Sequence, residues 1–132
     1  MRPVRGLIGP LVACLAVVLI ARRRLDVVEV RGRSMLPTLR PGDRLLALRL
    51  RRRPRPGEIV LAPDPRDPER ELVKRVLTVD ASGVTLRGDN PGVSTDARVF
   101  GAIAPDLVGW RLVARYWPVR RIGLIGDARR GR

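Results

Sequence analysis

Histidine is absent from this sequence of 132 residues, and Lys74 is its only lysine; every other basic residue, in a total of 27 Lys and Arg, is arginine. Arginine, with a pKa above ~12, effectively never loses its proton and cannot serve as a general base. If the chain is an enzyme that uses a general base near neutral pH, the candidates are therefore Lys74 and the carboxylates. The alternative is that Lys74 occupies an ordinary strand position, where it serves packing or solubility.

Cysteine and aromatic side chains are also scarce. The one cysteine, Cys14, excludes an internal disulfide and any zinc or redox site built from several cysteines. Aromatic residues make up 3% of the chain, which argues against a platform on which single-stranded nucleic-acid bases stack. The remaining composition, 45% hydrophobic and 30% charged, is that of one globular domain. The sequence gives no sign of a metal or organic cofactor.

The chain is strongly basic, with a formal net charge of +14 and a pI near 11.8. This balance fits a protein that meets an anionic membrane or nucleic acid, although a general bias toward arginine produces the same values. The arginines within residues 49–55 are expected to form a solvated loop, and contact with lipid phosphate is the alternative.

An apolar run at residues 7–21 predicts an N-terminal membrane helix. It is fifteen residues long and lies between Arg2 and Arg5 on one side and Arg22, Arg23 and Arg24 on the other. A comfortable span needs ~20 residues, so the flanking arginines would have to reach toward the membrane surface. A cleaved secretory signal is not expected, because arginines rather than small residues follow the run. The arginine count favours a cytoplasmic location for the C-terminal body.

The rest of the chain is predicted to be mainly β, because short β-branched runs alternate with turn residues. A turn at residues 80–83 predicts a β-hairpin, and residues 63–68 are expected to form a loop rich in proline and acid. We therefore divide the chain into a membrane segment with basic flanks at 1–24, a core at 25–118 and a basic tail at 119–132. The predicted strands are 25–30, 44–50, 58–62, 71–79 and 84–87.

Three motifs follow one another along the core. They are GRSMLPTL at 32–39 with PGD at 41–43, VKRV at 73–76, and GDN at 88–90 followed by Ser94, Asp96, Arg98 and the pair Phe100-Gly101. In this order they resemble the type I signal peptidase family, the Ser/Lys endopeptidases of peptidase family S26. The resemblance covers most of residues 28–101.

The resemblance implies a serine endopeptidase that removes N-terminal signal or leader peptides from precursor proteins. Its partners would be those precursors and membrane lipid, and its place would be the bacterial cytoplasmic membrane as a single-pass protein. The short path from Lys74 to Gly88 leaves no room for the large accessory β-domain of many bacterial signal peptidases. The expected fold is therefore a compact signal-peptidase-like β core after one apolar helix, similar in size to the mitochondrial inner-membrane peptidases.

The same resemblance assigns roles to individual residues. Ser34 would be the nucleophile and Lys74 the general base, while Ser94 would orient the amine and Asp96 and Arg98 would form a supporting ion pair. A serine hydroxyl is a weak nucleophile until a base takes its proton, and a neutral lysine amine can do so. To act near pH 7, Lys74 would need its pKa lowered from ~10.4 to about 7–8, which costs about 4 kcal/mol.

The resemblance also suggests how substrate and oxyanion would be held. The backbone N–H of Ser34 would be one oxyanion donor. Gly32 stands where some relatives carry a serine or threonine as the second donor, so that donor is unassigned here. Substrate would lie extended along residues 30–32 and 72–73, with main-chain pairing supplying affinity. The side chains expected to shape pockets for small substrate residues are Val30, Met35, Leu39, Val73 and Thr95.

Two other functions stay open on the sequence. The short length, the RVFG segment at 98–101 and the RYWP segment at 115–118 also resemble the maturation proteases of nickel-type superoxide dismutase, which remove one propeptide. The arginine asymmetry around the apolar run fits that alternative better. From a different class, the chain could be an inactive, membrane-tethered basic protein that binds anionic lipid or nucleic acid.

Overall fold

Seven antiparallel strands follow one long helix in the computed structural model, which describes residues 5–93 and 101–126. This architecture confirms the predicted mainly β fold with an N-terminal apolar helix. Two 3-10 turns, Pro105–Leu107 and Val119–Arg121, flank the sixth strand. The main elements are α1 Arg5–Arg24, β1 Leu25–Glu29, β2 Arg44–Arg49, β3 Ile59–Asp64, β4 Asp67–Asp80, β5 Gly83–Arg87, β6 Trp110–Trp117 and β7 Gly123–Leu124.

Helix α1 extends away from the rest of the protein. Its stretch Gly6–Arg24 has a mean hydropathy of 1.8, and none of it is buried against the body. By length and composition this stretch is able to cross a membrane. The three arginines of its last turn lie where the negative end of the helix dipole favours positive charge. A helix that is apolar on all sides and is not buried against the body suits a lipid environment.

The strands form a single sheet in the order β1-β2-β6-β3-β4-β5. Strand β6 is central: it pairs with β2 along its length, with β3 through Trp110 and Arg111, and with β7 through Ala114 and Arg115. Sequence analysis did not predict β6. The predicted hairpin is present, since Asp80 and Gly83 close the turn between β4 and β5.

Strand β3 is buried on both faces of the sheet and separates two apolar clusters. Its consecutive residues Ile59 and Val60 point to opposite faces and belong to different clusters. One cluster contains Val30, Met35, Leu39, Leu45, Ala47, Ile59 and Leu112; the other contains Val60, Ala62, Val76, Val84, Leu86, Ile103 and Val108.

The segment 63–68, predicted to be a loop, is mostly strand. Strand β3 extends to Asp64 and β4 begins at Asp67, so only Pro65 and Arg66 lie between them. Asp64 is buried and accepts hydrogen bonds from the backbone N–H of Arg66 and from its Nε and Nη2, at 2.9, 3.1 and 2.9 Å. Because Arg66 donates these bonds, the pKa of Asp64 lies below its ordinary value. The pairing of Asp64 with Arg66 closes a tight turn. The proline content of the segment predicted a loop there and not this turn.

The arginine-rich loop after β2 is held by one buried carboxylate. Glu58 is 2% exposed and accepts hydrogen bonds from two nitrogens of the Arg52 guanidinium and from the backbone N–H of Arg55 at 2.7 Å. Arg111 Nη1 lies 3.7 Å from Glu58 Oε1. Burial alone would raise the pKa of Glu58, but the bonds from Arg52 and Arg55 outweigh it and the pKa is lowered.

Candidate functional site

A cleft of about 810 Å³ opens between β1 and the first half of β4. One wall is formed by residues 26–35, and the opposite wall is formed by residues 68–74 of β4 together with Leu61. Strand β1 pairs with β2 on one side, and among the described residues no strand pairs with its other side. An open strand edge presents backbone N–H and C=O groups that an extended peptide can pair with.

Several of the predicted site residues meet in this cleft. Ser34 and Lys74 both line it, although they are forty positions apart in the sequence, as do Gly32 and three predicted pocket residues, Val30, Met35 and Val73. Leu39 does not line the cleft and lies fully buried in the apolar core. Ser94, Thr95, Asp96 and Arg98 lie outside the described residues.

Lys74 lies on β4 with its side chain inside the protein. Alternation along the strand puts Leu72, Lys74 and Val76 on the same face, and all three are buried. Lys74 is directly opposite Val60 on β3 and is 3% exposed. Removal from water favours the neutral form of a lysine over the ammonium form.

Ser34 lies on the loop of residues 30–43 that connects β1 to β2, called here the Ser34 loop. Its side chain is half-buried, and Leu39 N donates to Met35 O at 2.9 Å, which closes a helical turn just after the serine. Gly32 has φ of +76°, a conformation that side chains disfavour, yet a Cβ there would meet nothing within 4 Å. The glycine is therefore required by backbone conformation and not by space.

The GDN motif, which follows β5, clamps the Ser34 loop through two hydrogen bonds. The backbone N–H of Asn90 donates to the carbonyl oxygen of Ser34 at 2.8 Å, and Asn90 Nδ2 donates to the carbonyl oxygen of Arg33 at 3.1 Å. These two bonds fix the main chain at the serine. Sequence analysis recognised the motif but assigned Asn90 no role.

Asp89 connects that clamp to β4. Its carboxylate accepts two hydrogen bonds from Arg75, the residue after Lys74, and one from the hydroxyl of Thr38 on the Ser34 loop. Arg75 Nη1 also donates to Gly57 O at 2.8 Å. Burial would raise the pKa of Asp89, but the bonds from Arg75 and Thr38 prevail and the pKa is lowered. The loop and the strand of Lys74 are thereby joined through one carboxylate.

A second buried carboxylate, Asp43, holds the other end of the Ser34 loop. It accepts hydrogen bonds from Arg121 Nη1 at 2.9 and 3.1 Å and from Arg40 N at 2.9 Å. Arg115 Nε lies 3.0 Å from Asp43 Oδ2 as an ion pair but makes no hydrogen bond, while Arg115 Nη2 donates to Thr38 O at 2.7 Å. Neither arginine was predicted to support the site, because only the fold brings them to Asp43.

No group of three or more His, Cys, Asp or Glu side chains that could hold a metal ion occurs in residues 5–93 and 101–126. Within this part of the chain the cleft presents a hydroxyl, an amine and an open strand edge. These groups suit acyl transfer on an extended peptide.

Comparison with known proteins agrees with this geometry. The model of the family described as signal peptidase, peptidase S26, matches residues 7–87. The mitochondrial ATP-independent inner membrane protease subunit 1a of Arabidopsis thaliana is 32% identical, over 75% of this chain and 74% of the plant protein. The mitochondrial inner membrane protease subunit 1 of Mus musculus is 30% identical, over 80% of this chain and 77% of its own.

Subunit 2 of the mitochondrial inner membrane protease of Schizosaccharomyces pombe is similar as well, with 28% identity over 76% of this chain and 69% of its own. The matched region includes both the Ser34 loop and the strand of Lys74. Because the family match covers more than half of the chain, this protein belongs to the signal peptidase family, peptidase S26.

Proposed function

We propose that the chain is a membrane-anchored serine endopeptidase that removes N-terminal leader peptides from precursor proteins, with Ser34 as nucleophile and Lys74 as general base. The observation that carries the proposal is that the sole lysine is buried in the wall of a cleft that also contains Ser34. The family and the relatives named as inner membrane proteases support a peptidase that works at a membrane.

The proposed reaction has two halves. The neutral amine of Lys74 takes the hydroxyl proton of Ser34, and Oγ attacks the scissile carbonyl carbon to give a tetrahedral oxyanion, with the Ser34 backbone N–H as one donor. Lys74 then gives the proton to the leaving amine, so the C–N bond breaks and an ester to Ser34 remains. Next, Lys74 takes a proton from water, the hydroxide attacks the ester, and the proton returns to Ser34 as the leader leaves.

Three further roles belong to the same proposal. Ser94 orients the Lys74 amine by hydrogen bonding, and Asp96 pairs with Arg98 to support that segment. Substrate lies extended along the open edge of β1, and the apolar walls near Ser34 accept small side chains. Support for this binding mode comes from the cleft lining, which contains Val30, Met35 and Val73 together with Ser34.

The proposed location is the bacterial cytoplasmic membrane, with α1 as the anchor. A dedicated maturation protease for one cytosolic precursor, such as nickel superoxide dismutase, is the second candidate. One observation favours it: the last turn of α1 carries three arginines and the body after it is strongly basic, which favours a cytoplasmic body.

Mass spectrometry of protein N-termini tests the proposal and separates the candidates. Host cells carry the wild-type chain, Ser34→Ala, or the control Ser82→Ala, whose serine is exposed in the hairpin turn. Loss of mature N-termini from many exported proteins with Ser34→Ala alone indicates a general leader peptidase. Retention of a single cytosolic propeptide indicates the dedicated protease. Identical N-termini in all three strains would contradict both and favour the inactive binding protein.

A further inference from the structure

Residues 118–125 fold back onto the sheet after β6 and are called here the C-terminal return. They contain the 3-10 turn Val119–Arg121 and the short strand β7, which pairs with β6. Ile125 N donates to Val113 O at 2.9 Å. The side chain of Ile125 packs against the apolar cluster that contains Met35, a residue of the cleft lining. The return is therefore fixed to the sheet and to the core below the cleft wall.

The 3-10 turn of the return brings Arg121 to the buried carboxylate of Asp43. Asp43 is 2% exposed, and its two oxygens accept hydrogen bonds from Arg121 Nη1 at 2.9 and 3.1 Å. A carboxylate removed from water is stable as an anion only where positive charge and hydrogen bonds replace the water. Arg121 supplies both, while its neighbour Arg120 is exposed.

Asp43 is the last residue of the Ser34 loop, and its main chain connects to the first residue of the same loop. Val30 N donates to Asp43 O at 2.8 Å, and Gly42 N donates to Val30 O at 2.9 Å. Val30 also lines the cleft. The two ends of the loop are thus tied together at one point, and Arg121 joins that point to the C-terminal return.

Arg115 of β6 joins the return to the middle of the Ser34 loop. Its Nε lies 3.0 Å from Asp43 Oδ2, its Nη2 donates to Thr38 O at 2.7 Å, and its Nη1 donates to Arg121 O at 3.4 Å. A planar guanidinium can hold three groups in this way because its N–H groups point in fixed directions. Thr38 also donates its hydroxyl to Asp89, so the same series of contacts reaches the carboxylate that joins the loop to β4.

We propose that the C-terminal return positions the nucleophile, with Arg121 as a positioning residue that acts through Asp43; this role rests on Ser34 being the nucleophile of the proposed function. The return lies outside residues 7–87, which the family model matches. The described lining of the cleft contains neither Arg115 nor Arg121, so the effect is expected on the chemical step and not on substrate binding. A misplacement of about 1 Å caused far from the chemistry can cost roughly a hundredfold in rate.

Steady-state cleavage of a leader peptide by the full chain in detergent tests this role. Arg121→Ala should lower kcat about tenfold or more and leave KM within about twofold. Arg121→Lys should restore most of the rate, because both bonds to Asp43 come from one nitrogen and an ammonium can make them. Arg115→Lys should stay impaired, because three nitrogens of Arg115 hold three different groups.

Two controls separate positioning from loss of charge and from loss of stability. Arg120→Ala removes the exposed arginine next to Arg121 and should leave kcat unchanged. Arg52→Ala removes a partner of Glu58, which is as buried as Asp43. It should lower the thermal midpoint about as much as Arg121→Ala does, without the loss of kcat. Equal losses of kcat in these two variants would show a merely structural role and overturn the proposal.

Amide hydrogen exchange measures the loop without relying on activity. Arg121→Ala should speed exchange in residues 33–43, while Arg121→Lys and Arg52→Ala should leave that segment as protected as in wild type. Wild-type exchange in the loop of Arg121→Ala, or wild-type kcat in that variant, would overturn the positioning role. A wild-type chain that cleaves no leader peptide would contradict the proposed function instead, and the exchange measurement would still decide whether the return holds the loop.

Discussion

The guanidinium of Arg75 meets the carboxylate of Asp89 through two parallel hydrogen bonds, Nε to Oδ1 at 2.8 Å and Nη2 to Oδ2 at 2.7 Å. Both side chains are mostly buried, and paired charge-assisted bonds of this kind fix geometry as well as adding energy. Arg75 is next to Lys74, and Asp89 also accepts from Thr38 on the Ser34 loop. One ion pair therefore sets how the strand and the loop lie relative to each other.

Asp89→Asn should lower stability by about 1.5–3 kcal/mol, because it removes the charge that receives two bonds from Arg75. It should also lower kcat more than it raises KM, since Asp89 is not among the residues that line the cleft and it holds the Ser34 loop through Thr38. Thermal unfolding in detergent and steady-state cleavage of a leader peptide measure the two effects. Asp106→Asn is the control on an exposed 3-10 turn, and an equal loss there would contradict the positioning role.

Asn90→Ala should have a smaller effect on stability and still slow cleavage. Among the described residues it removes the bond from Nδ2 to Arg33 O, while the bond to Ser34 O comes from the backbone N–H and survives. We expect a loss of about 0.5–1.5 kcal/mol. The same unfolding and cleavage measurements check it; a loss of stability larger than that of Asp89→Asn would show that the clamp depends on the amide rather than on the ion pair.

Acid should destabilise the fold in a defined window. The pKa values of Glu58 and Asp89 are lowered in the folded state from ordinary values of 4.5 and 3.8. Between the folded and the ordinary pKa values, the unfolded chain therefore binds more protons than the folded protein. The stabilisation from these two carboxylates is complete above the ordinary pKa values and is lost as pH falls through the folded pKa values. Urea midpoints should be flat near neutral pH and fall with acid, and Glu58→Gln should flatten the fall. An unchanged slope in that variant would contradict the assignment to Glu58.

Gly83→Ala should be severely destabilising. The residue has φ of +124°, and a Cβ there would lie 2.4 Å from the carbonyl oxygen of Ile103, which is backbone and cannot swing aside. The backbone conformation alone costs about 1–3 kcal/mol, and the clash adds to it. Gly109→Ala is the matched control, since nothing lies within 4 Å of its Cβ position. Similar thermal midpoints for the two variants would refute the steric argument.

Local sequence patterns predict much of the fold, but they do not predict its central strand, β6. The alternation and turn residues around β1–β5 predict those strands to within a few positions, and the apolar run predicts α1. Strand β6 was not predicted because Arg111 and Arg115 interrupt its apolar residues. In the fold Arg111 pairs with Glu58 and Arg115 pairs with Asp43. Both carboxylates are buried and come from distant segments of the chain. A charge that is neutralised by a distant partner does not show in a local pattern.

The candidate site, like the fold, could be predicted from the sequence only in part. Family motifs indicated Ser34 and Lys74, and the fold brings both to one cleft. The supporting contacts through Arg75, Asp89 and Asn90 were missed, although each lies inside a recognised motif. Motif spacing identifies which residues matter together, but the donor and acceptor of each hydrogen bond depend on how the loop of 30–43 packs across the sheet.

The most direct test of the proposed chemistry compares wild type, Ser34→Ala and Lys74→Arg in cleavage of a leader peptide as a function of pH. Lys74→Arg replaces the amine, which the proposed mechanism uses in its neutral form, with a guanidinium that keeps its proton, so we expect both variants to lose activity while their thermal unfolding shows a folded protein. The wild-type rate should rise with the loss of one proton below pH ~9. Cleavage by Lys74→Arg at the wild-type rate would contradict the lysine-base mechanism.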